Sequence, residues 1–247
     1  ARCVQIDIDP ARLSLRYPAE VGIAADSRKA LLALIPLLQR KEERGYLEDV
    51  QKTMKDWWKL MEDRGTRKDI PMKPQVVAWE LGKRLSDDAI VTADSGTIAT
   101  WFARQIKARG DQKFSLSGNL ATMAPGLPYT LAAQIAYPDR QCVALVGDGG
   151  LAMLMADLAT AVKYKLPITI VVFSNGALGQ IKWEQIVFDG APEFGCDLER
   201  IDYAMVAEAC GAKGYHVEDP AKIGEVFDAA LAWNGPVVVD CVVDGFE

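Results

Sequence analysis

Residues 143–150 read VALVGDGG, a continuously apolar run that ends in a glycine-rich turn. We predict a buried strand here that passes through the turn into a helix. Glycine lets the backbone turn tightly and approach a ligand closely, and a helix start offers free N–H groups that suit a phosphate. Asp148 adds a hard carboxylate oxygen, which suits magnesium. Because turns of this composition commonly bind nothing, the prediction needs a second feature.

A second strand end supplies that feature. Residues 168–173 read ITIVVF, the most strand-like run of the chain, and Asn175 follows soon after them. Residues 150–174, 25 in all, separate the two turns. This is the length of one helix plus one strand, as a crossover between neighbouring parallel strands requires. We therefore expect Asp148 and Asn175 to lie side by side, with room for magnesium to bind phosphate oxygens and water as well.

Apolar strands separated by helices recur through the rest of the chain. This pattern predicts an α/β fold, a parallel sheet with helices on both faces, and ligands bind such sheets at the carboxyl ends of the strands. The predicted strands are residues 89–93, 141–146, 168–173, 213–217 and 236–243. The predicted helices are residues 75–85, 97–107, 151–164, 203–210 and 221–233.

The first 70 residues differ in character from the remainder. Residues 4–8 alternate like a strand, and Asp26 and Ser27 form a predicted cap for a helix at residues 29–38. Residues 39–70 are highly charged and contain a predicted helix at residues 47–61. We predict three parts: the tail of a central α/β domain at 1–38, a charged linker at 39–70, and a C-terminal domain at 71–247.

Composition excludes several classes of function. The 247 residues carry a net charge of -6, which argues against nucleic acid as the main partner. No apolar run approaches the roughly 20 residues needed to span a bilayer. The five cysteines are an odd number without close pairing, so we expect reduced thiols in a cytoplasmic protein. Where the sequence begins and ends suggests a fragment of a longer protein.

The two turns together resemble the fingerprint of thiamine diphosphate-dependent enzymes. That fingerprint is a Gly-Asp-Gly turn followed, after a spacer of this length, by two asparagines, and Ser174 stands in place of the first asparagine. The resemblance implies a magnesium-bound thiamine diphosphate, with Asp148, Asn175 and the backbone carbonyl of Ala177 as metal ligands. The residues it assigns to cofactor binding in these turns are Asp148, Gly149, Gly150, Asn175, Ala177, Leu178 and Gly179.

Residues 117–128 resemble the loop that holds the pyrimidine ring of the cofactor in the pyruvate oxidase and acetolactate synthase group. The resemblance implies that Met123 wedges under the cofactor and that the carbonyl of Ala121 faces the 4′-amino group. Ala124 stands where glycine is usual. Residues 93–101 resemble the other diphosphate loop, which would bring Thr97 and Ile98 near the phosphates.

Residues 178–185, which read LGQIKWEQ, resemble the substrate-pocket helix of pyruvate oxidases and pyruvate:quinone dehydrogenases. There the residues matching Ile181 and Glu184 line the pocket, and their i, i+3 spacing puts them on one helical face. The resemblance implies oxidative decarboxylation of a 2-keto acid, pyruvate, through thiamine diphosphate, magnesium and FAD. Two alternatives are an acetolactate synthase-like carboligase and a non-catalytic module that binds magnesium and a diphosphate.

The resemblance also implies partners. The first residues would close a central domain, with Asp7 near the adenosine part of FAD. The glutamate that activates the cofactor would belong to an N-terminal domain of a partner subunit. We therefore expect a homodimer or homotetramer in which this chain holds at most half of each active site. A peripheral membrane contact of the full-length protein is left open.

Overall fold

The computed structural model describes residues 2–246, and these form two units that divide between Met54 and Lys55. In the first unit, β1 (Val4–Asp7) and β2 (Val21–Ala24) pair in parallel and α1 (Ser27–Leu34) follows them. The carboxylate of Asp26 accepts a hydrogen bond from the N–H of Lys29 at 2.9 Å, which confirms the predicted cap. β2 was not predicted from the sequence.

The long helix α2 (Gly45–Gly65) contains the division between the units, at Met54 and Lys55. Its last turns belong to the second unit because Met61 is fully buried there and its carbonyl accepts a hydrogen bond from the Gln105 side chain at 3.2 Å. The division therefore falls earlier than the sequence-based boundary near residue 70. The assignment of residues 1–38 to a central domain stays a prediction.

The second unit is built on a six-stranded sheet. Its strands are β3 (Ile90–Ala93), β4 (Lys113–Leu116), β5 (Cys142–Gly147), β6 (Ile168–Ser174), β7 (Lys213–Val217) and β8 (Val237–Val242). They lie in the order β4-β3-β5-β6-β8-β7, and all the strand pairs are parallel. This arrangement confirms the predicted fold class.

Helices cover both faces of this sheet, because its central strands bury side chains in both directions. One face packs on α3 (Pro74–Arg84), α4 (Thr97–Gln105) and α10 (Ile223–Leu231). The other packs on α5 (Gly126–Ala136), α6 (Asp148–Leu154), α7 (Leu158–Lys163) and α9 (Tyr203–Ala209). α8 (Gly179–Val187) follows the turn after β6. Among the helices of residues 2–246, none combines the length and apolar character needed to span a bilayer.

Three elements of the second unit differ from the predicted ones. The helix predicted at residues 151–164 begins at Asp148 and is interrupted by a 3-10 turn between α6 and α7. α5 was missed because Gly126 and Pro128 suggest a loop, although proline is tolerated in the first turn of a helix. β4 was missed because it has only four residues and lies at the edge of the sheet.

The strand order reverses direction between β3 and β5: the chain goes from β3 outward to β4, then returns to the other side of β3. A crevice forms at such a switch point, outside the carboxyl ends of the strands. The turns after β3, β5 and β6 all lie along this end of the sheet.

Candidate functional site

A cavity of about 280 Å³ lies at the carboxyl ends of β3, β5 and β6. Every site residue that the sequence predicted in the second unit lines it. These residues are Thr97, Ile98, Ala121, Met123, Asp148, Gly149, Gly150, Asn175, Ala177, Leu178, Gly179, Ile181 and Glu184. The structure therefore brings the set together, while the role of each member stays a prediction.

Asp148 and Asn175 lie at adjacent strand ends, because Gly147 of β5 pairs with Phe173 of β6. The Asp148 carboxylate spans the gap: Oδ1 accepts from the N–H of Gly149 at 2.8 Å, and Oδ2 accepts from the N–H of Gly176 at 2.7 Å. Burial raises the pKa of Asp148 above its usual value, while these backbone donors favour the charged form. The structure therefore places Asp148 and Asn175 next to each other, as the length of the crossover between their strands predicts.

Ala177 is held in place by a short antiparallel bridge to Asp197. Two backbone hydrogen bonds flank the bridge, from Leu178 N–H to the Cys196 carbonyl at 2.8 Å and from Leu198 N–H to the Gly176 carbonyl at 2.9 Å. On the inner side, the Asn175 Oδ1 accepts from the Ala177 N–H at 3.1 Å. The turn after β6 is thus held by backbone hydrogen bonds to residues 196–198 and by the side chain of Asn175.

The two helix starts beside the cavity approach each other closely. A Cβ atom on Gly179, at the start of α8, would lie 3.2 Å from Cγ2 of Thr97, the first residue of α4. Ile98 differs from Thr97, since it is 4% exposed and belongs to the core on one sheet face. Thr97 carries a hydroxyl group beside the cavity, whereas the side chain of Ile98 is apolar and packs in the core.

Met123 reaches over the turn after β5. Its Cε would lie 3.5 Å from a Cβ atom placed on Gly149, which puts the thioether chain at the edge of the cavity. Ala121 and Ala124 on either side have positive φ angles of 54° and 66°. That backbone conformation explains physically why glycine would be favoured at position 124.

Glu184 and Ile181 both face the cavity from α8. The Glu184 carboxylate is oriented by the side-chain amide of Gln180, which donates to Oε1 at 2.8 Å. Gln180 also lines the cavity and was not predicted as a site residue. The sequence could have indicated Gln180, because its i, i+4 spacing to Glu184 puts both residues on one helical face.

Asp94 is a further cavity residue that sequence reasoning missed. Its carboxylate, directly after β3, is 1% exposed, and it accepts from the N–H groups of Gly126 at 2.9 Å and Gly147 at 3.3 Å. A Cβ atom on Gly150 would lie 2.0 Å from its Oδ2, so glycine is required at that position. Asp94 follows an apolar strand just as Asp148 does, and that shared pattern could have revealed it.

We expect Asp94 to make the stability of the chain depend on pH. Burial raises the pKa of Asp94 to about 6, against the two N–H donors. Since the usual value is 3.8, the folded state favours the protonated acid. Its stabilising contribution is complete below about pH 4 and is lost as the pH rises through 6, by about 3 kcal/mol in the free energy of unfolding.

Urea unfolding of the wild type and Asp94→Asn at several pH values between these limits measures this contribution. As the pH rises through 6, the unfolding free energy of the wild type should fall by about 3 kcal/mol relative to that of Asp94→Asn. Asp139→Asn, at an exposed position, is the control and should follow the wild type. Parallel pH profiles for the wild type and Asp94→Asn would show that Asp94 does not titrate in this range.

A family model described as thiamine pyrophosphate enzyme, C-terminal TPP binding domain, matches residues 94–241. These residues contain the turns that follow β3, β5 and β6 and border the cavity. The chain belongs to this thiamine diphosphate enzyme family. The domain that carries the cavity is therefore a thiamine diphosphate-binding domain, as the resemblance of the two turns implied.

Three relatives show the range of the family around this chain. The thiamine pyrophosphate-containing protein YdaP of Bacillus subtilis is 42% identical over 97% of this chain and 42% of its own length. A pyruvate oxidase of Lactiplantibacillus plantarum is 32% identical over 98% of this chain and 40% of its own. The acetolactate synthase isozyme 3 large subunit of Escherichia coli is 30% identical over 100% and 44%. The chain thus spans about two fifths of these relatives.

The residues that line the cavity fit a magnesium-bound diphosphate chemically. Asp148 and Asn175 offer carboxylate and amide oxygens, the ligand type that magnesium prefers. Gly149 and Gly150 leave the space that a side chain would fill, since a Cβ on Gly149 would lie 3.0 Å from Leu198. Oxygen donors and a glycine turn at two adjacent strand ends are what a cation and a diphosphate need together.

Asp7 lies in the first unit, at the end of β1. Its Oδ1 accepts from the N–H of Asp9 at 2.9 Å, which is a turn-forming contact. The proposed contact of Asp7 with FAD stays a prediction.

Proposed function

We propose that the protein catalyses thiamine diphosphate- and magnesium-dependent decarboxylation of pyruvate, with oxidation through FAD, as a pyruvate oxidase-like enzyme. The supporting observation is the cavity position of Glu184 and Ile181 on α8, beside the turn after β6. Ile181 gives the cavity an apolar wall, and Glu184 gives it a carboxylate with a fixed hydrogen-bond donor, Gln180. A proton-handling group beside an apolar wall suits a small keto acid.

The chain's own residues have distinct tasks in this proposal. Asp148, Asn175 and the Ala177 carbonyl would hold magnesium, and the glycine turn would admit the diphosphate. Met123 would support the cofactor from the side of the Gly149 turn. Thiamine diphosphate, when bound, supplies the electron sink that lets carbon dioxide leave. Glu184 orients the carboxylate and carbonyl region of the substrate and holds or moves a proton there.

The proposal and its alternative differ in the overall reaction that follows decarboxylation. A carboligase of the acetolactate synthase kind would join two keto acids, and the 30% identity to the Escherichia coli synthase subunit favours keeping this candidate. The 32% identity to a pyruvate oxidase favours the oxidative one. We prefer the oxidative function because Ile181 and Glu184, spaced i, i+3, resemble the pocket residues of pyruvate oxidases.

The test supplies the natural full-length protein with pyruvate, thiamine diphosphate, magnesium and an artificial electron acceptor. We expect two electrons to reach the acceptor for each carbon dioxide released, and an absorption spectrum with bound flavin. Acetolactate formation without acceptor reduction would instead identify a carboligase. Bound flavin alone does not decide, so the ratio of reduced acceptor to carbon dioxide is the deciding measurement.

The proposal includes a homodimer or homotetramer in which an N-terminal domain from a partner subunit completes each site. The exposed apolar side chains of α8 support an uncovered surface beside the cavity, since Ile181 is 46% and Trp183 is 48% exposed. A cytoplasmic location also belongs to the proposal. The cysteines of the described residues are free thiols, which suits a reducing compartment.

A further inference from the structure

A buried carboxylate on β8 connects to both strand ends that carry the proposed metal ligands. Asp240 is 0% exposed, and its Oδ1 receives a hydrogen bond from the Ser174 hydroxyl. Ser174 directly precedes Asn175 and occupies the position of the first asparagine in the family fingerprint. The turn that bears Asn175 is thereby fastened to the neighbouring strand.

Tyr203 makes the second connection. Its backbone N–H donates to Oδ2 of Asp240 at 3.3 Å, and its hydroxyl donates to the backbone carbonyl of Asp148 at 2.6 Å. The side chain is 2% exposed, so this hydroxyl is sheltered from competing water. The turn that bears Asp148 is thus fastened to the same carboxylate, through one tyrosine.

These contacts form a closed ring. From Asp148 the ring runs through Tyr203 and Asp240 to Ser174, and the chain continues through Asn175 to Gly176. The N–H of Gly176 then donates back to Asp148 Oδ2 at 2.7 Å. A closed ring fixes the distance between its members more firmly than any single hydrogen bond, because moving one member strains the others.

We propose that Tyr203 and Asp240 are positioning residues of the magnesium site, which set the spacing between the Asp148 carboxylate and the Asn175 amide. Magnesium demands near-ideal octahedral geometry, so its affinity is sensitive to ligand spacing. Groups that orient ligands from behind commonly affect metal affinity by about 10–100-fold. The inference rests on Asp148 and Asn175 being the metal ligands of the proposed function.

Asp240 also lies near Asp202 and His216, and one ligand atom from each falls within 4.8 Å of the others. In the structure these three residues make hydrogen bonds within the protein. The Asp202 Oδ1 accepts from the Met205 N–H at 2.9 Å and so caps α9. The Asp240 Oδ2 lies 3.4 Å from His216 Nδ1 in addition to its contact with Tyr203.

Tyr203→Phe tests the inference because it removes only the hydroxyl. In the natural full-length protein with saturating thiamine diphosphate, Mn²⁺ is titrated and the free ion is measured by electron paramagnetic resonance. We expect the Mn²⁺ dissociation constant to rise roughly tenfold. Tyr215→Phe is the matched control: it lies on β7 against the opposite face, and its hydroxyl has no hydrogen bond within residues 2–246. It should change the constant less than about twofold.

The stability of the metal-free protein is measured in parallel, because a merely structural role would lower it without changing metal affinity. Tyr203→Phe with a wild-type dissociation constant would overturn the inference, whatever its stability. If that variant does not fold, Ser174→Ala decides, since it opens the ring from the other side and should weaken Mn²⁺ in the same way. An unchanged constant in Ser174→Ala would then overturn the inference.

The double variant adds a test of the ring itself. If Tyr203 and Ser174 act through Asp240, their combined effect on the dissociation constant should be smaller than the product of the single effects. Strictly multiplicative effects would contradict a closed ring.

The wild type separates failure of this inference from failure of the proposed metal site. A wild-type protein that binds no Mn²⁺ would refute the proposed metal site, and this inference with it. A wild-type protein that binds Mn²⁺, with both single variants binding it equally well, would refute the inference alone.

Discussion

Replacing Asp148 with asparagine is expected to weaken magnesium-dependent binding of thiamine diphosphate by at least about 100-fold, because groups behind a ligand already affect metal affinity by up to that factor. Asparagine keeps the volume and one oxygen of aspartate but loses the charge that a small divalent cation requires. Calorimetry of the natural full-length protein, with and without magnesium, measures the loss. The metal dependence itself should nearly vanish in the variant.

Acidification should act on the wild type in the same direction. Burial raises the pKa of Asp148 above its usual value of 3.8. A proton on this carboxyl group competes with the cation, so the affinity for magnesium should fall as the pH is lowered toward that pKa. Asp148→Asn has no such group and should lack this pH dependence.

Asp157→Asn is the control for both experiments, since the carboxylate of Asp157 has no hydrogen bond or ion pair within the described part of the chain. It should bind the cofactor like the wild type. Titration with ADP in place of thiamine diphosphate tests specificity. Equal affinity for the two ligands, unchanged in Asp148→Asn, would contradict a thiamine diphosphate site and favour a non-catalytic diphosphate-binding module.

The pairing of Asp148 with Asn175 was predictable from the sequence because it follows from topology. Two apolar strands joined by one helix commonly lie parallel and next to each other, and parallel strands end at the same edge. The register of Gly147 with Phe173 bears this out. By the same logic Asp94, at the end of β3, could have been included, had the short strand been recognised as a neighbour of β5.

Tyr203 and Asp240 were beyond such prediction. Tyr203 acts on a backbone carbonyl 55 residues away, and no local pattern marks a residue for a contact of that kind. Asp240 stands within an apolar strand, where a single carboxylate signals only that some partner must be present. Which partner that is depends on the register of β8 against β6 and β7, which composition and periodicity do not specify.

The loop around Met123 was predictable in position but not in its limits. Its residues were recognised by resemblance, yet the same stretch begins α5 at Gly126. The carbonyl of Gly126 is fixed by the hydroxyls of Thr92 at 2.7 Å and Thr130 at 2.9 Å. The bond from Thr92 is a tertiary contact, and the bond from Thr130 lies within α5 itself. No local pattern of the loop indicates the contact with Thr92, which fixes the start of this buried helix.

Replacing Glu184 with glutamine is expected to lower kcat/KM for pyruvate by about 100-fold or more, the usual loss when a group that handles protons is removed. Glutamine keeps the size of the side chain and can still meet the Gln180 amide through its oxygen. What it loses is the ability to hold or move a proton beside the substrate. Steady-state turnover of pyruvate by the natural full-length protein measures this effect.

The same variant should bind thiamine diphosphate and magnesium like the wild type, because the bond from Gln180 at 2.8 Å is the only hydrogen bond of the Glu184 side chain within residues 2–246. Glu208→Gln, an exposed position on α9, is the matched control and should keep full activity. A loss of cofactor affinity in Glu184→Gln would mean that the residue supports the cavity rather than the reaction. A kcat/KM within about threefold of the wild type would show that no proton passes through Glu184, since such a group ordinarily contributes far more.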